Sequence, residues 1–292
     1  MDEPIGIVNI LKPPGMTSSN VVYDVRRLFD VKKAGHTGTL DPGAAGVLPI
    51  CVGKATRLFD YLVDKRKEYI AEIAFGKRTD TQDSYGAVIE TSEKNISLEA
   101  LLNALPHFCG VIEQVAPSYS ALKVGGQALY KLAREGKEVP RRVRQAEIFS
   151  LTCLQKSGEN KFLLRIACSR GTYVRTLCQD IGTYLSTCAH MSFLLRTKTG
   201  SFAVENSYSI PELAAMKERG TLHESLIGVE TILKELPAVE VDRESAFKLI
   251  NGCALPLEGK PLSENAVCRV YGEQFLGMGI WEDECLKLKI RF

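Results

Sequence analysis

GHTGTLDPGAAGVLPICVG, residues 35–53, governs the reading of the whole chain. Five glycines and two prolines in this stretch make a helix improbable. The stretch is also too apolar for a disordered linker. A long, ordered, Gly-punctuated loop inside a compact domain is usually functional. Asp41 lies at its centre. Pro42 pushes Asp41 toward extended backbone, and Gly35, Gly38, Gly43 and Gly46 let a ligand come close to the main chain. An Asp-Pro pair is also a common turn signal, so the residues alone leave Asp41 as either a turn former or a catalytic carboxylate. His36 is equally open: it contacts a substrate or hydrogen-bonds within the loop.

Working outward, Ser18 or Ser19 caps a helix whose Val21, Val22, Val25, Leu28 and Phe29 share a face. KEYIAEIAF, 67–75, alternates and reads as a strand carrying Tyr69. Ser97 caps a short helix with Leu98, Leu101, Leu102 and Leu105 on its apolar face. A helix over Gln127–Glu135 ends at Gly136, and strands follow near 146–154 and 161–168. In the second of these, Phe162, Leu164, Ile166 and Cys168 face one way and Arg165 the other. A helix from about Thr172 to Cys188 and another capped by Ser209 and ended by Gly220 complete the body. Strands and helices do not alternate as repeated βαβ units. This points to an α+β fold, with a mixed, mainly antiparallel sheet and flanking helices. Beyond Pro237 a helix capped by Asp242 leads into VCRVYG, QFLGMGIW and CLKLKIRF. These strands read as a small β-rich module. The expected division is 1–232 and 233–292.

The 292 residues suffice for a sizeable core. No apolar run approaches the roughly 18–20 residues of a membrane span, and the N-terminus resembles neither a secretory signal nor a transit peptide. The expected location is the cytoplasm. The nine cysteines form no C-x-x-C pair, and the four histidines are not spaced as ligands. A metal site is not expected, and the thiols read as buried and reduced. A net charge of +2 argues, taken whole, against a nucleic-acid partner. Its distribution argues otherwise. Residues 121–144 hold seven basic side chains against two acidic ones, whereas 229–292 hold eight against eleven. The basic segment, with Lys123, Arg141 and Arg142, can follow a phosphate backbone or be a solvated surface.

CSRGTYVRTLCQDIG, 168–182, runs from a strand end through Gly171 into a helix. It projects Arg170 and Arg175 from the junction. A buried carboxylate such as Asp41 needs a cationic partner to stay ionised, and either arginine can supply it. Tyr69, next to Lys67 and Glu68, suits stacking on an unpaired base, or it packs in the sheet as strand tyrosines do.

Taken together, these stretches resemble one family. GHTGTLDPGAAGVLPICVGKATRL, 35–58, resembles the signature of the TruB family of tRNA pseudouridine synthases. NILKPPGMTS, 9–18, resembles that family's Lys-Pro motif, and KEYIAEIAFGKRTDTQDSYG, 67–86, its Lys-x-Tyr strand and following turn. PSYSALKVGGQALYKLAREG, 117–136, and the 168–182 stretch resemble two further motifs, with Arg170 where lysine is frequent. The resemblance implies the pseudouridine synthase fold, with a PUA-like RNA-binding module at the C-terminus. It implies isomerisation of uridine 55 in the tRNA T-loop, with no metal or organic cofactor. The implied partner is the tRNA T-stem-loop, the implied state a monomer.

By the same resemblance Asp41 is the catalytic carboxylate and Arg175 its pairing arginine. Tyr69 stacks on the flipped base or serves as general base. Lys12 and Pro13 line the pocket and support the tyrosine. His36 contacts the RNA loop. Asp41 attacks ribose C1′, promotes elimination to a glycal, or attacks the base; the three routes stay open. Residues 121–144 are expected to form a thumb-like RNA-binding insertion. Alternatives are a non-catalytic tRNA-binding folding chaperone and a related synthase acting on another RNA.

Overall fold

The computed structural model describes residues 3–63, 66–120, 122–124, 127–129, 132, 135, 137, 142–256 and 263–292. Its centre is a nine-stranded sheet. Seven strands run in the order Gly6–Lys12, Ala45–Val52, Ala189–Thr199, Lys67–Phe75, Lys161–Cys168, Val143–Gly158 and Gly110–Val115. Ala34–His36 pairs with Ala45–Val52, and Phe202–Ala203 with Ala189–Thr199. The pairing of Ala45–Val52 with Ala189–Thr199 is parallel, and the others are antiparallel. The expected mixed, mainly antiparallel α+β architecture is therefore present.

Alternation along the strands decides where the core lies. Phe162, Leu164, Ile166 and Cys168 all point inward, and Arg165 outward. They share a buried cluster with Val21, Val25 and Phe29 of the helix Ser18–Phe29, and with Leu177 and Ile181 of the helix Val174–Tyr184. Each such aromatic or aliphatic side chain contributes roughly 1.5–3 kcal/mol on burial.

Gly6–Lys12 and Ala45–Val52 are buried on both faces. Val8, Ile10, Leu48 and Ile50 enter the main cluster, while Ile7, Val47 and Cys51 enter a second one. This second cluster also takes Met278 and Ile290 from a separate five-stranded C-terminal sheet. That sheet contains Ala238–Glu240, Val267–Tyr271, Phe275–Glu282, Cys285–Arg291 and Leu255–Pro256. A third cluster, around Leu249, Cys268 and Trp281, is the sheet's own core. The C-terminal strands thus cover the back of the strands that carry the Gly-rich loop.

Local expectations hold at several ends. Ser97 and Asp242 cap their helices, and Ser209 forms a reciprocal capping box with Glu212. Three differ. Thr17, rather than Ser18 or Ser19, caps the first helix. The Ser18 hydroxyl is engaged elsewhere, accepting from Leu40 N–H at 2.9 Å and donating to Leu40 C=O at 3.0 Å. Most of 35–53 is strand rather than loop; the loop proper is 37–44. Gln127–Ala128 is a strand paired with Lys123–Val124 rather than the start of a helix. Of the rest of the expected 127–135 helix, Leu129 and Leu132 are helical and Glu135 lies in a turn. The remainder, with Gly136, lies outside the described residues.

One half-buried acid in the helix Val174–Tyr184 makes stability pH-dependent. Burial pushes the Asp180 carboxyl up to about 6. As pH rises from the unfolded value of about 3.9 through 6, the unfolded chain ionises first, so the folded state loses stability over that window and recovers none above it. Asp180→Asn should therefore stabilise the protein at pH 8 by about 1 kcal/mol, allowing for the group's partial exposure, and leave it unchanged near pH 4. Urea midpoints at the two pH values measure the difference.

Candidate active site

The loop 37–44 is fixed from three sides. Thr37 N–H donates to Pro49 C=O at 3.0 Å, and Ala44 N–H donates back to Asp41 C=O at 3.0 Å, closing a tight turn. Behind the loop, fully buried Lys12 donates its ammonium to Pro13 C=O at 2.8 Å, Met16 C=O at 2.7 Å and Pro42 C=O at 3.2 Å. Burial pushes this lysine down to about 8, against the opposing pull of Asp41, and the positive charge of Arg196 lowers it further. Below the loop lies Arg196, on the strand Ala189–Thr199. Its guanidinium donates to Val47 C=O at 2.7 Å, Gly38 C=O at 3.0 Å and Thr39 C=O at 3.4 Å. Gly46 runs against the Arg196 backbone with φ +117°, and a Cβ there would strike that backbone. This glycine is required by close approach.

The result is a turn held from several sides, with the Asp41 carboxylate left partly accessible. Leu40 is buried, while 38% of the Asp41 side chain stays exposed. Arg175, at the start of the helix after the 168–173 junction, places Nε 2.9 Å from Asp41 Oδ2. Its other two nitrogens donate to Thr81 C=O and Tyr119 C=O, each at 3.0 Å. The guanidinium is thus aimed at the carboxylate by two backbone anchors, and charge-assisted bonds of this kind are the strong ones.

These groups open into a cavity of about 410 Å³, within the range of about 300–1,000 Å³ typical of small-ligand sites. Tyr69 forms part of its wall. The register places Tyr69 opposite Arg196 on one side and Ile166 on the other. Burial pushes the tyrosine hydroxyl up, with Arg196 pulling partly the other way. The phenol is therefore neutral at pH 7, an aromatic face rather than a ready base. His36 also lines the cavity. Burial first, then Arg196, holds its imidazole below the usual value. Its Nδ1 accepts from Gly38 N–H at 3.3 Å, which leaves Nε2 as the protonated nitrogen. Among the described residues, Lys67, Arg144, Arg170, Arg175 and Arg196 share the wall with a single carboxylate, Asp41. Such a surface attracts phosphate.

The structure brings Asp41, Tyr69, Arg175, His36 and Arg170 to one cavity. Lys12 stands behind the loop rather than on the wall, and Pro13 is exposed outside the cavity lining. The pocket-lining expectation for this pair is thus corrected: three carbonyls hold the Lys12 ammonium below the turn. Arg142 is exposed and accepts from Ala116 N–H through its carbonyl at 2.9 Å. Lys123 belongs to a two-residue strand, while Arg141 lies outside the described residues. Arg196, Arg144 and Lys67 were not singled out as site residues from sequence. For Arg196 the available signal was an arginine at an inward position of a strand: such a cation needs carbonyls, and a Gly-rich loop has them to spare.

Among the described residues no group of three or more His, Cys, Asp or Glu is placed to hold a metal, and no helix is long and apolar enough to cross a membrane.

The family model described as TruB family pseudouridylate synthase (N terminal domain) matches residues 26–174, and that of the tRNA pseudouridylate synthase B C-terminal domain matches 175–234. The tRNA pseudouridine synthase B of Symbiobacterium thermophilum is 47% identical over 252 residues, covering 85% of this chain and 82% of that protein. The tRNA pseudouridine synthase B of Caldanaerobacter subterraneus subsp. tengcongensis is 40% identical over 290 residues, covering 98% and 99%. Among solved structures, a chain of a Cbf5-Nop10-Gar1 complex matches with TM-score 0.72 at 26% identity, covering 95% of this chain and 78% of that one. A chain of an H/ACA RNP bound to a substrate RNA containing 2′-deoxyuridine matches with TM-score 0.74 at 23% identity, covering 98% and 84%. The last likeness shows a shared fold.

Proposed function

Because the chain belongs to the TruB family of pseudouridylate synthases, we propose that it isomerises uridine 55 in the T-loop of tRNA to pseudouridine, with Asp41 as the catalytic carboxylate. The observation that carries this reading is the Asp41 carboxylate itself. It is held on a rigid turn, paired with Arg175 at 2.9 Å, and open to a cavity walled by Tyr69.

The chemistry balances within the substrate. The N1–C1′ bond breaks, the uracil turns, and a C5–C1′ bond forms. C5 loses a proton and N1 gains one. Atoms and electrons are conserved, so the reaction calls for no external donor or redox group. Asp41 serves this sequence by attack on C1′, by promoting elimination through C2′, or by attack on the base. Each route needs a carboxylate within reach of the nucleoside. A uridine inside a folded loop must first leave its stack, at a cost of a few kcal/mol. Stacking on Tyr69 and phosphate contacts to Arg144 and Arg170 offset that cost. Tyr69 acts chiefly through its ring face, since its neutral phenol takes up no proton. His36, with Nε2–H directed by its bond to Gly38, offers a donor at the mouth. Lys12 acts by fixing Pro42, next to the reacting carboxylate.

The same reading divides the chain into a catalytic body, 1–232, and a PUA-like RNA-binding module, 233–292, in keeping with the separate C-terminal sheet. Residues 121–144, including Lys123, Arg141 and Arg142, form the insertion that grips the T-arm. The enzyme works as a monomer in the cytoplasm.

The test is direct. Incubation of the full chain with an unmodified tRNA transcript should give pseudouridine at position 55 alone, mapped by carbodiimide modification and primer extension. A transcript carrying cytidine at that position should give none. Conversion at another site, or no conversion, would overturn the assignment.

A further inference from the structure

Outside the cavity the most exposed large hydrophobic side chain among the described residues is Tyr85, at 75%. It lies on the segment 80–87, which is not a loose loop. Thr79 Oγ1 donates to Asp83 C=O at 2.6 Å, and Thr81 Oγ1 donates to Asp83 Oδ1 at 2.6 Å. Tyr85 N–H donates to the same Asp83 oxygen at 3.0 Å, and Ala87 N–H donates to Asp80 Oδ1 at 2.8 Å. Met191 N–H donates to Gln82 C=O at 3.0 Å and pins the segment to the central sheet.

Two observations place this ring beside the chemistry. Arg175 binds Asp41 through Nε and Thr81 C=O through Nη1, so one guanidinium spans the reacting carboxylate and the Tyr85 segment. The outer edge of the Tyr85 ring rests on Gly43, two residues past Asp41, where a Cβ would collide with it. The ring therefore stands at the edge of the Asp-Pro-Gly turn, with most of its surface facing solvent. Packing does not account for an aromatic held this way. A ring on a hydrogen-bonded segment has little left to lose in ordering when a partner arrives.

We propose that Tyr85 is a second stacking site, taking an unpaired nucleobase adjacent in the RNA to the one held in the cavity. The inference rests on the function proposed above. A nucleotide drawn into the cavity carries its neighbours to the rim, and the cationic wall of Arg144 and Arg170 favours the intervening phosphate. Every base has a π-face, so such a site reads the presence of an unstacked base rather than its identity.

The probe is a T-arm stem-loop RNA with 2-aminopurine on either side of the target uridine, bound to an Asp41→Asn chain. Tyr85 should quench one of the two fluorophores. Quenching should be lost in Tyr85→Ala and in Tyr85→Leu, and kept in Tyr85→Trp. In the otherwise native enzyme, Tyr85→Ala and Tyr85→Leu should raise KM for the stem-loop about tenfold, with the single-turnover rate at saturation within about twofold of the parent. A Tyr85→Leu enzyme with the parent KM would overturn the proposal, since leucine covers Gly43 without stacking. So would quenching that survives in Tyr85→Ala. A parent enzyme that forms no pseudouridine would sink the proposed function instead, and the fluorescence comparison would still decide whether Tyr85 stacks.

Discussion

Asp41→Asn should lose pseudouridine formation by at least about four orders of magnitude under single-turnover conditions, the scale on which removal of a reacting group acts. Asparagine keeps the size of the side chain and one acceptor oxygen but removes the charge that every route to C1′ or the base requires. The substitution leaves the turn intact, because the turn is made by backbone bonds from Thr37, Ala44 and Gly15, and by Lys12 on Pro42 C=O. Arg175 keeps Thr81 and Tyr119 as anchors. RNA affinity should therefore hold or rise slightly, since the wall loses a negative group among its cations. Filter binding beside a rate measurement separates the two effects. A variant within tenfold of the parent rate would remove Asp41 from its role.

The second large effect falls on Arg196, which meets the loop that carries Asp41 through the carbonyls of Gly38 and Thr39. Arg196→Met should lower folding stability by about 3 kcal/mol or more, because Gly38, Thr39 and Val47 carbonyls lose a buried charged donor together. Methionine fills much of the space and donates nothing. The turn that carries Asp41 loses its floor, so the rate at saturating RNA should fall by more than about tenfold even where the variant remains folded. Arg196→Lys keeps a charge but not the planar fork, and should lie between the two in both readouts. Urea unfolding and single-turnover rates on the same preparations make the comparison; a methionine variant as stable and as fast as the parent would refute the positioning role.

The legible and illegible parts of this molecule differ in the range of the interactions that set them. Helix caps at Ser97, Ser209 and Asp242 are local, and their spacing alone identifies them. The buried face of Phe162, Leu164, Ile166 and Cys168 is a period-2 signal and equally local. By contrast, VLPICV shows no alternation because its strand is buried on both faces, one against the helices and one against the C-terminal sheet. Its Gly and Pro residues then invite a loop reading for what is mostly strand. Ser18 is a good cap by type, but its hydroxyl is claimed by Leu40, far along the chain. Arg196 meets its three carbonyls about 150 residues away, and no short window contains that contact.

At the site, Asp41, Tyr69, Arg175, His36 and Arg170 could be picked out because they sit in motif-bearing stretches, and the structure gathers them in one cavity. Lys12 sits in such a stretch too, yet it is buried behind the Asp-Pro turn with its ammonium on the carbonyls of Pro13, Met16 and Pro42.

The shared cluster of Ile7, Val47, Met278 and Ile290 bears on how deletion experiments are interpreted. A chain cut after residue 232 would take Leu233, Met278 and Ile290 out of the cluster that holds Ile7 and Val47, on strands next to the Asp41 turn. The exposed apolar strip would invite association and loosen the footing of Asp41. Activity lost in such a fragment reports on the rigidity of the reaction centre as much as on any RNA contact made by the missing module. Point substitutions on the outer surface of the C-terminal sheet, which leave Met278 and Ile290 in place, separate the two contributions.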